Sequence, residues 1–213
     1  MALTELLFPV FKQDPVSQAT LKSQGPEIFN HFRGIPGLQS IFRGSVIVDD
    51  GKPVDASSGR SVLVLEQQKE WDTRASLADF YPNSPTFQSF IKLAKPLVAA
   101  PDIPELFDAA VSSRACAEAG VMQVLKVKLG SETERVWGLL REALLRRGDA
   151  GLVFSHASGI EEQEGVFLGM VGWGGLGEYE RSREDEEVRG LLGELGAGGV
   201  VLDVVVQLDR LAV

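Results

Sequence analysis

His156 sits in the stretch Phe154-Ser155-His156-Ala157-Ser158, where β-compatible residues alternate. In a strand that alternation puts Phe154, His156 and Ser158 on one face. A neutral imidazole in an apolar pocket can take a proton from an activated carbon or a phenol near neutral pH. Asp203 interrupts an otherwise apolar run from Val200 to Val206. A carboxylate there needs a partner or a raised pKa. Both a general base and an ion pair across a sheet interface fit it. Trp71 and Trp173 each follow a strand-like segment, where an indole either stacks on an aromatic ligand or plugs a core. These residue types define a candidate site. His156 and Asp203 would do the proton transfer. Phe154, Ser158, Trp71 and Trp173 would shape the pocket.

Other chemistry is weaker. His31 lies at the end of a predicted helix, where a cation is stabilised by the helix dipole. Glu5 and Gln123 fall at matching positions of two predicted first strands, which reads as structure at a barrel seam. Arg43 and Glu66 lie on facing strands of one hairpin and are positioned to pair across it. Gly172-Trp173-Gly174-Gly175-Leu176-Gly177 fits G-x-G-x-x-G, between a strand and a helix. The strands before it form a hairpin, and too little chain remains for a doubly wound sheet. Two histidines and one cysteine, far apart, give no metal-ligand spacing. No cofactor and no metal are expected.

The elements that must position these residues repeat. Leu3 to Phe11 reads as a strand, and Asp14-Pro15 opens a helix that breaks at Gly25-Pro26 and resumes through Phe32. A hairpin follows, Leu38–Val48 and Ser61–Glu66, then Trp71. Phe87, Phe90, Ile91, Ala94 and Val98 recur at helical spacing. A weak strand closes this half around Leu106 and Phe107. Residues 112–120 read as a linker. The order then recurs: strand Val121–Leu129, a helix opened by a Ser131-to-Glu134 capping box, a hairpin, Trp173, a charged helix over Glu178–Leu195, and strand Val200–Leu208. Six elements in the same order imply an α+β fold of two tandem β-α-β-β-α-β ferredoxin-like repeats, 1–111 and 121–213. Each such sheet has helices on one face only. A second sheet would cover the other, giving an intramolecular barrel.

The charge balance narrows the partners. The net charge is -9, which opposes nucleic acid and anionic membrane surfaces. The single cysteine, Cys116, allows no internal disulfide and suits a reducing compartment. The sequence shows no secretory leader and no apolar run long enough to span a bilayer. A soluble, cytoplasmic protein is expected, monomeric as a pseudo-dimer or homodimeric.

At Thr4-Glu5-Leu6, Gly34-Ile35-Pro36-Gly37-Leu38, and Trp71 followed by Phe80, the chain resembles the dimeric α+β barrel superfamily. It is most similar to the antibiotic-biosynthesis-monooxygenase-like (ABM-like) proteins of fungi. The resemblance implies a pocket between the sheet and the helices of one repeat. It also implies a range of activities: cofactor-free monooxygenases, polyketide cyclases, haem-degrading enzymes, and members with no known activity. The leading expectation is a cofactor-independent enzyme of secondary metabolism, a polyketide cyclase or isomerase, with His156 as base. A cofactor-free monooxygenase on a phenol or anthrone is the first alternative, and a non-catalytic binding or accessory protein the second. The expected partner is a small apolar or aromatic metabolite.

Overall fold

The computed structural model describes residues 2–33, 35, 38–68, 84–100, 102–109, 111–149 and 151–211. In the first half, β1 (Ala2–Leu7) and β2 (Val10–Phe11) lead into α1 (Pro15–Asn30). Strands β3 (Leu38–Asp49), β4 (Lys52–Pro53) and β5 (Ser61–Gln68) follow, then α2 (Pro85–Ala94), β6 (Val98–Ala100) and β7 (Glu105–Ala109). The short α3 (Arg114–Ala117) leads to the second half. That half contains β8 (Val121–Lys128), α4 (Thr133–Arg146), β9 (Val153–Gly159), β10 (Val166–Trp173), α5 (Leu176–Glu184), α6 (Glu186–Leu195) and β11 (Val200–Leu211).

Eight of these strands close into a barrel, in the order β11-β8-β10-β9-β7-β1-β5-β3, with β3 pairing back onto β11. The order inside the first half is β7-β1-β5-β3, and inside the second β11-β8-β10-β9. Both place the first strand beside the fourth and the third, and all pairings are antiparallel. The halves meet at two seams of unequal length. The β3–β11 seam runs from Asp49↔Val204 to Ile41↔Leu211. The β7–β9 seam holds only Phe107↔Gly159, Asp108↔Ser158 and Ala109↔Ala157.

The alternation of each strand decides what lies inside. Leu6, Phe42, Val64, Phe107, Met122 and Val204 join one cluster that fills the barrel. Their neighbours one residue along face outward to the helices. Val121, Leu125 and Val171 meet α4 and α6. Ile41, Leu63 and Leu65 meet Phe29 and Phe32. Residues 112–120, expected as a linker, instead carry α3, which buries Cys116 and Ala117 in the barrel cluster.

Several local expectations change for clear reasons. α1 runs unbroken through Gly25 and Pro26, with Asp14 capping it by accepting from Ser17 N at 2.9 Å. Packing of Leu21, Ile28 and Phe29 outweighs the proline's lost hydrogen bond. Ser131 forms no capping box; Thr133 Oγ1 accepts from Gly130 N instead, at 2.8 Å. The charged helix is two helices, because Asp185 stops the first and caps the second by accepting from Glu187 N and Val188 N.

Closure of the long seam requires a bare backbone. A Cβ on Gly44 would stand 1.7 Å from the Gln207 carbonyl oxygen across β11. Gly44→Val is therefore expected to lower stability by about 1–3 kcal/mol or more. Gly138 lies inside α4 with nothing within 4 Å of an added Cβ, so Gly138→Ala should raise stability by about 0.5–1 kcal/mol. Urea midpoints of the two variants check both signs.

Candidate active site

The outer face of the first-half sheet is incompletely filled. Between it and the helices α1 and α2 lie two adjoining cavities of about 350 Å3 each. They share Leu7, Leu63, Phe90, Ile91 and Asp102 as walls. One wall is aromatic: Phe90 meets Phe32 edge-on at 4.7 Å, with Phe29 and Phe87 at 6.5 and 6.1 Å. The helical spacing of Phe87 and Phe90 produces this wall, since α2 turns one face to the sheet.

Glu5 projects from β1 into this apolar space. It is half-buried, and the surface it keeps lines the cavity. Burial pushes its carboxyl from 4.5 up to about 7, because an anion loses more hydration than a neutral acid does. Three other carboxylates stand around the same cavity: Asp102, Glu161 and Glu162. Asp102 is tied to the backbone, accepting from Phe8 N and Ile103 N. Among the described lining residues there is no cation. A neutral or cationic ligand therefore meets no repulsion there, whereas an anion does.

The described residues singled out in the sequence, His156, Phe154, Ser158, Asp203 and Trp173, are spread over the second half. His156 lies on the outer face of β9, half-buried and stacked on Phe167 at 5.9 Å. Phe154 packs edge-on against Trp137 at 6.4 Å, under the Arg141 guanidinium. Ser158 is exposed beside the short seam. None of the four cavities described for this chain is lined by His156, Phe154 or Ser158.

Asp203 lies on β11, with β8 and β10 between it and β9. The strand spacing puts it roughly 14 Å from His156, so the two do not share one proton path. Its carboxylate is 8% exposed. It accepts from Gln123 Nε2 at 2.9 Å and from Arg183 Nη1 at 3.0 Å. Burial pushes its pKa up, and these two donors hold back part of the rise. It borders a different cavity, one of about 330 Å3 that includes Arg183 and Leu192.

Trp173, expected as a ligand contact, is 1% exposed and packs edge-on against Tyr179 in the core. Trp71 and Phe80 lie outside the described residues, as do Gly34, Pro36 and Gly37 of the hairpin opening. Glu5 lies on β1 and Gln123 on β8, and neither strand is at a seam, contrary to the expectation of barrel-seam structure. Arg43 and Glu66 do not pair. Arg43 is on the outer face, and Glu66 is buried in the barrel end, where it accepts from Ser40 Oγ at 3.1 Å. His31 caps α1, its Nδ1 within 3.1 Å of the Glu27 carbonyl. The glycine motif is no phosphate cradle, because Glu178 Oε2 already accepts from Gly174 N at 2.8 Å.

Sequence reasoning missed Glu5 as a site residue. The usable signal was its place on the outer face of β1, between Thr4 and Leu6, facing helices whose aromatic residues form the opposite wall.

An eight-stranded closed α+β barrel defines a class of fold, and solved structures share that fold. A structure described as an anthrone oxidase-like protein has TM-score 0.67 at 11% identity, over 98% of this chain and 91% of that one. A candidate monooxygenase from Lactobacillus acidophilus has TM-score 0.57 at 10% identity, over 99% and 94%. A chlorite dismutase variant from Candidatus Nitrospira defluvii has TM-score 0.54 at 10% identity, over 99% and 92%. This chain shares the α+β barrel fold of these proteins. No family model matches the sequence, and no curated protein matches it. No described helix is long and apolar enough to cross a membrane.

The Glu5 titration has a definite sign. A carboxyl whose folded pKa lies above its unfolded value binds more protons in the folded state between about 4.5 and about 7. Its contribution to stability is greatest below 4.5 and falls as pH rises to 7. Glu5→Gln removes that dependence. The stability difference, Glu5→Gln minus wild type, should grow by up to about 3 kcal/mol from pH 4 to pH 8. Urea unfolding of both proteins across that range checks it; a flat difference would place the Glu5 carboxyl in the ordinary range.

Proposed function

We propose that this protein is a cofactor-independent enzyme acting on a small, largely apolar ring compound. The compound is held between the first-half sheet and helices α1 and α2, and Glu5 removes a proton from it. The observation that carries the proposal is the Glu5 carboxyl, raised to about 7 inside an apolar cavity. A base is most effective when its pKa lies near the working pH. The aromatic wall of Phe32, Phe87 and Phe90 suits a planar ring.

The reaction that best joins this site to its structural neighbours is oxidation of an anthrone-like carbon. Glu5 takes a proton from the activated CH2, and the resulting carbanion supplies electrons to dioxygen. One oxygen atom remains as the new ketone. The other leaves as water with the two hydrogens lost from carbon. One substrate and one dioxygen thus give one quinone and one water. A polyketide cyclase or isomerase would share the first step, but its enolate would attack within the substrate and consume no oxygen.

The equal strand order of the two halves supports reading the chain as two ferredoxin-like repeats, 1–111 and 121–213, forming a pseudo-dimer in one molecule. On this reading the protein is an ABM-like member of the superfamily in which the first repeat keeps the pocket. A cytoplasmic location belongs to the same reading.

Anthrone and phenolic substrates with dissolved-oxygen recording test it. Turnover with one dioxygen per substrate is expected, with kcat/KM rising as pH rises through about 7. Glu5→Gln should lower kcat by about 100-fold or more, while His156→Ala retains activity. Product without oxygen uptake would select the cyclase or isomerase chemistry. Loss of turnover in His156→Ala with Glu5→Gln active would move the reaction to the second half.

A further inference from the structure

A groove of about 820 Å3 runs beside α1 toward the β3–β11 seam, outside the proposed active site. Lys22, Arg33 and Arg43 line it, and Glu27 is the one carboxylate among its described lining residues. That sign is the reverse of the chain as a whole, which carries a net charge of -9. It is also the reverse of the Glu5 cavity on the other side of the α1 wall.

Arg43 is the centre of the groove. Its guanidinium carbon lies 5.0 Å from the Phe29 ring centroid and 5.8 Å from that of Phe11. A cation–π contact of this kind leaves the N–H edge of a guanidinium available to an acceptor. Among the described residues no hydrogen bond or ion pair takes that edge up. Asp209, its register partner on β11, attracts it only at a distance. Burial pulls the Arg43 pKa down, the sign of a cation held short of water and of acceptors.

The helix is also shaped for the groove. Gly25 and Pro26 both line it, although both residues weaken a helix interior. A Cβ at position 25 would stand 3.5 Å from Arg43 Nη1, so a longer side chain would fill the space over the guanidinium. Pro26 has no N–H to give the Lys22 carbonyl. Local choices that oppose the helix gather at this one place, as they do at functional sites.

We propose that the groove binds a small molecule carrying an oxyanion, carboxylate or phosphate, on an apolar ring. The N–H edge of Arg43 takes two oxygens of the anion, a geometry that the planar fork matches. Lys22 and Arg33 add attraction from the rim. Leu21, Phe29 and Leu211 receive the apolar part.

The full chain titrated calorimetrically with benzoate, phenyl phosphate and benzyl alcohol tests this. At least one anion should bind about tenfold or more tightly than the alcohol, and more weakly at higher salt. The preferred anion identifies the oxyanion. Arg43→Ala and Gly25→Leu should each weaken that binding by about tenfold or more, and Glu5→Gln should leave it unchanged. Where either variant fails to fold, the exposed Lys22→Glu decides, with the same expected weakening. Equal binding of the alcohol, failure of both anions to bind, or binding indifferent to the folded groove variants overturns the proposal. Sensitivity to Glu5→Gln alone does so too, by assigning the ligand to the active-site cavity.

Discussion

The constraint on which this structure depends is that its antiparallel sheets are apolar on both faces. β10 shows it within a few residues: Leu168 and Met170 belong to the barrel cluster, while Phe167 and Val171 belong to the helix-facing cluster. Helices can cover one face of such a sheet only. The other must be covered by a second sheet, and joining β3 to β11 and β7 to β9 supplies it without leaving an open barrel edge. The middle of the barrel is thereby given over to packing, with polar groups such as Glu66 and the Lys126–Glu105 pair at its ends. Chemistry is left to the outer faces, between sheet and helices, and to the grooves where the helices do not reach.

The two outer faces have been used differently. In the second half the space under α4 is filled. Trp137 sits where a Cβ on Gly169 would come within 2.7 Å of its ring, so the glycine and the indole occupy one another's volume. Phe167 and Phe154 close around Trp137. In the first half, Phe29, Phe32 and Phe90 contact one another but leave cavities beneath them. The same architecture thus yields a tightly packed sheet–helix layer under α4 and an open one under α1 and α2. The difference lies in the side chains that the helices bring to the sheet.

The sequence carried most of the architecture. Period-two strands and Asp14 before Pro15 led to the observed strands and to α1, and the need for a second sheet over the first led to the barrel. It carried less of the site. His156 and Asp203 stand out in a linear reading because each interrupts a strand-like stretch with an ionisable group. Such an interruption reports which face a residue takes, and not whether that face is open. Glu5 was recognised as a counterpart of Gln123, but its openness depends on volumes contributed by α1 and α2. Part of that volume is set by packing between β1 and α2, which are about 80 residues apart in the chain, and no local pattern encodes it. The short helix α3 escaped for a related reason, because its few residues are held by the barrel end and not by helical periodicity.

Glu5 and Asp203 show why openness matters more than identity. Both are acids on outer faces, and burial raises both. Asp203 is answered by the Gln123 amide and the Arg183 guanidinium, which stabilise its anion and tie its oxygens to fixed partners. Such an acid holds β8, β11 and α5 together. Its lone pairs are committed to that work. Glu5 faces a cavity with an apolar floor and an acidic rim, so a molecule that enters changes the surroundings of its carboxyl. A ligand that yields a proton to Glu5 relieves the cost of a buried anion at the moment of transfer. Desolvation thus raises both acids, but Asp203 is held by Gln123 and Arg183 at the sheet surface, while Glu5 keeps a face toward a cavity that a small molecule can enter.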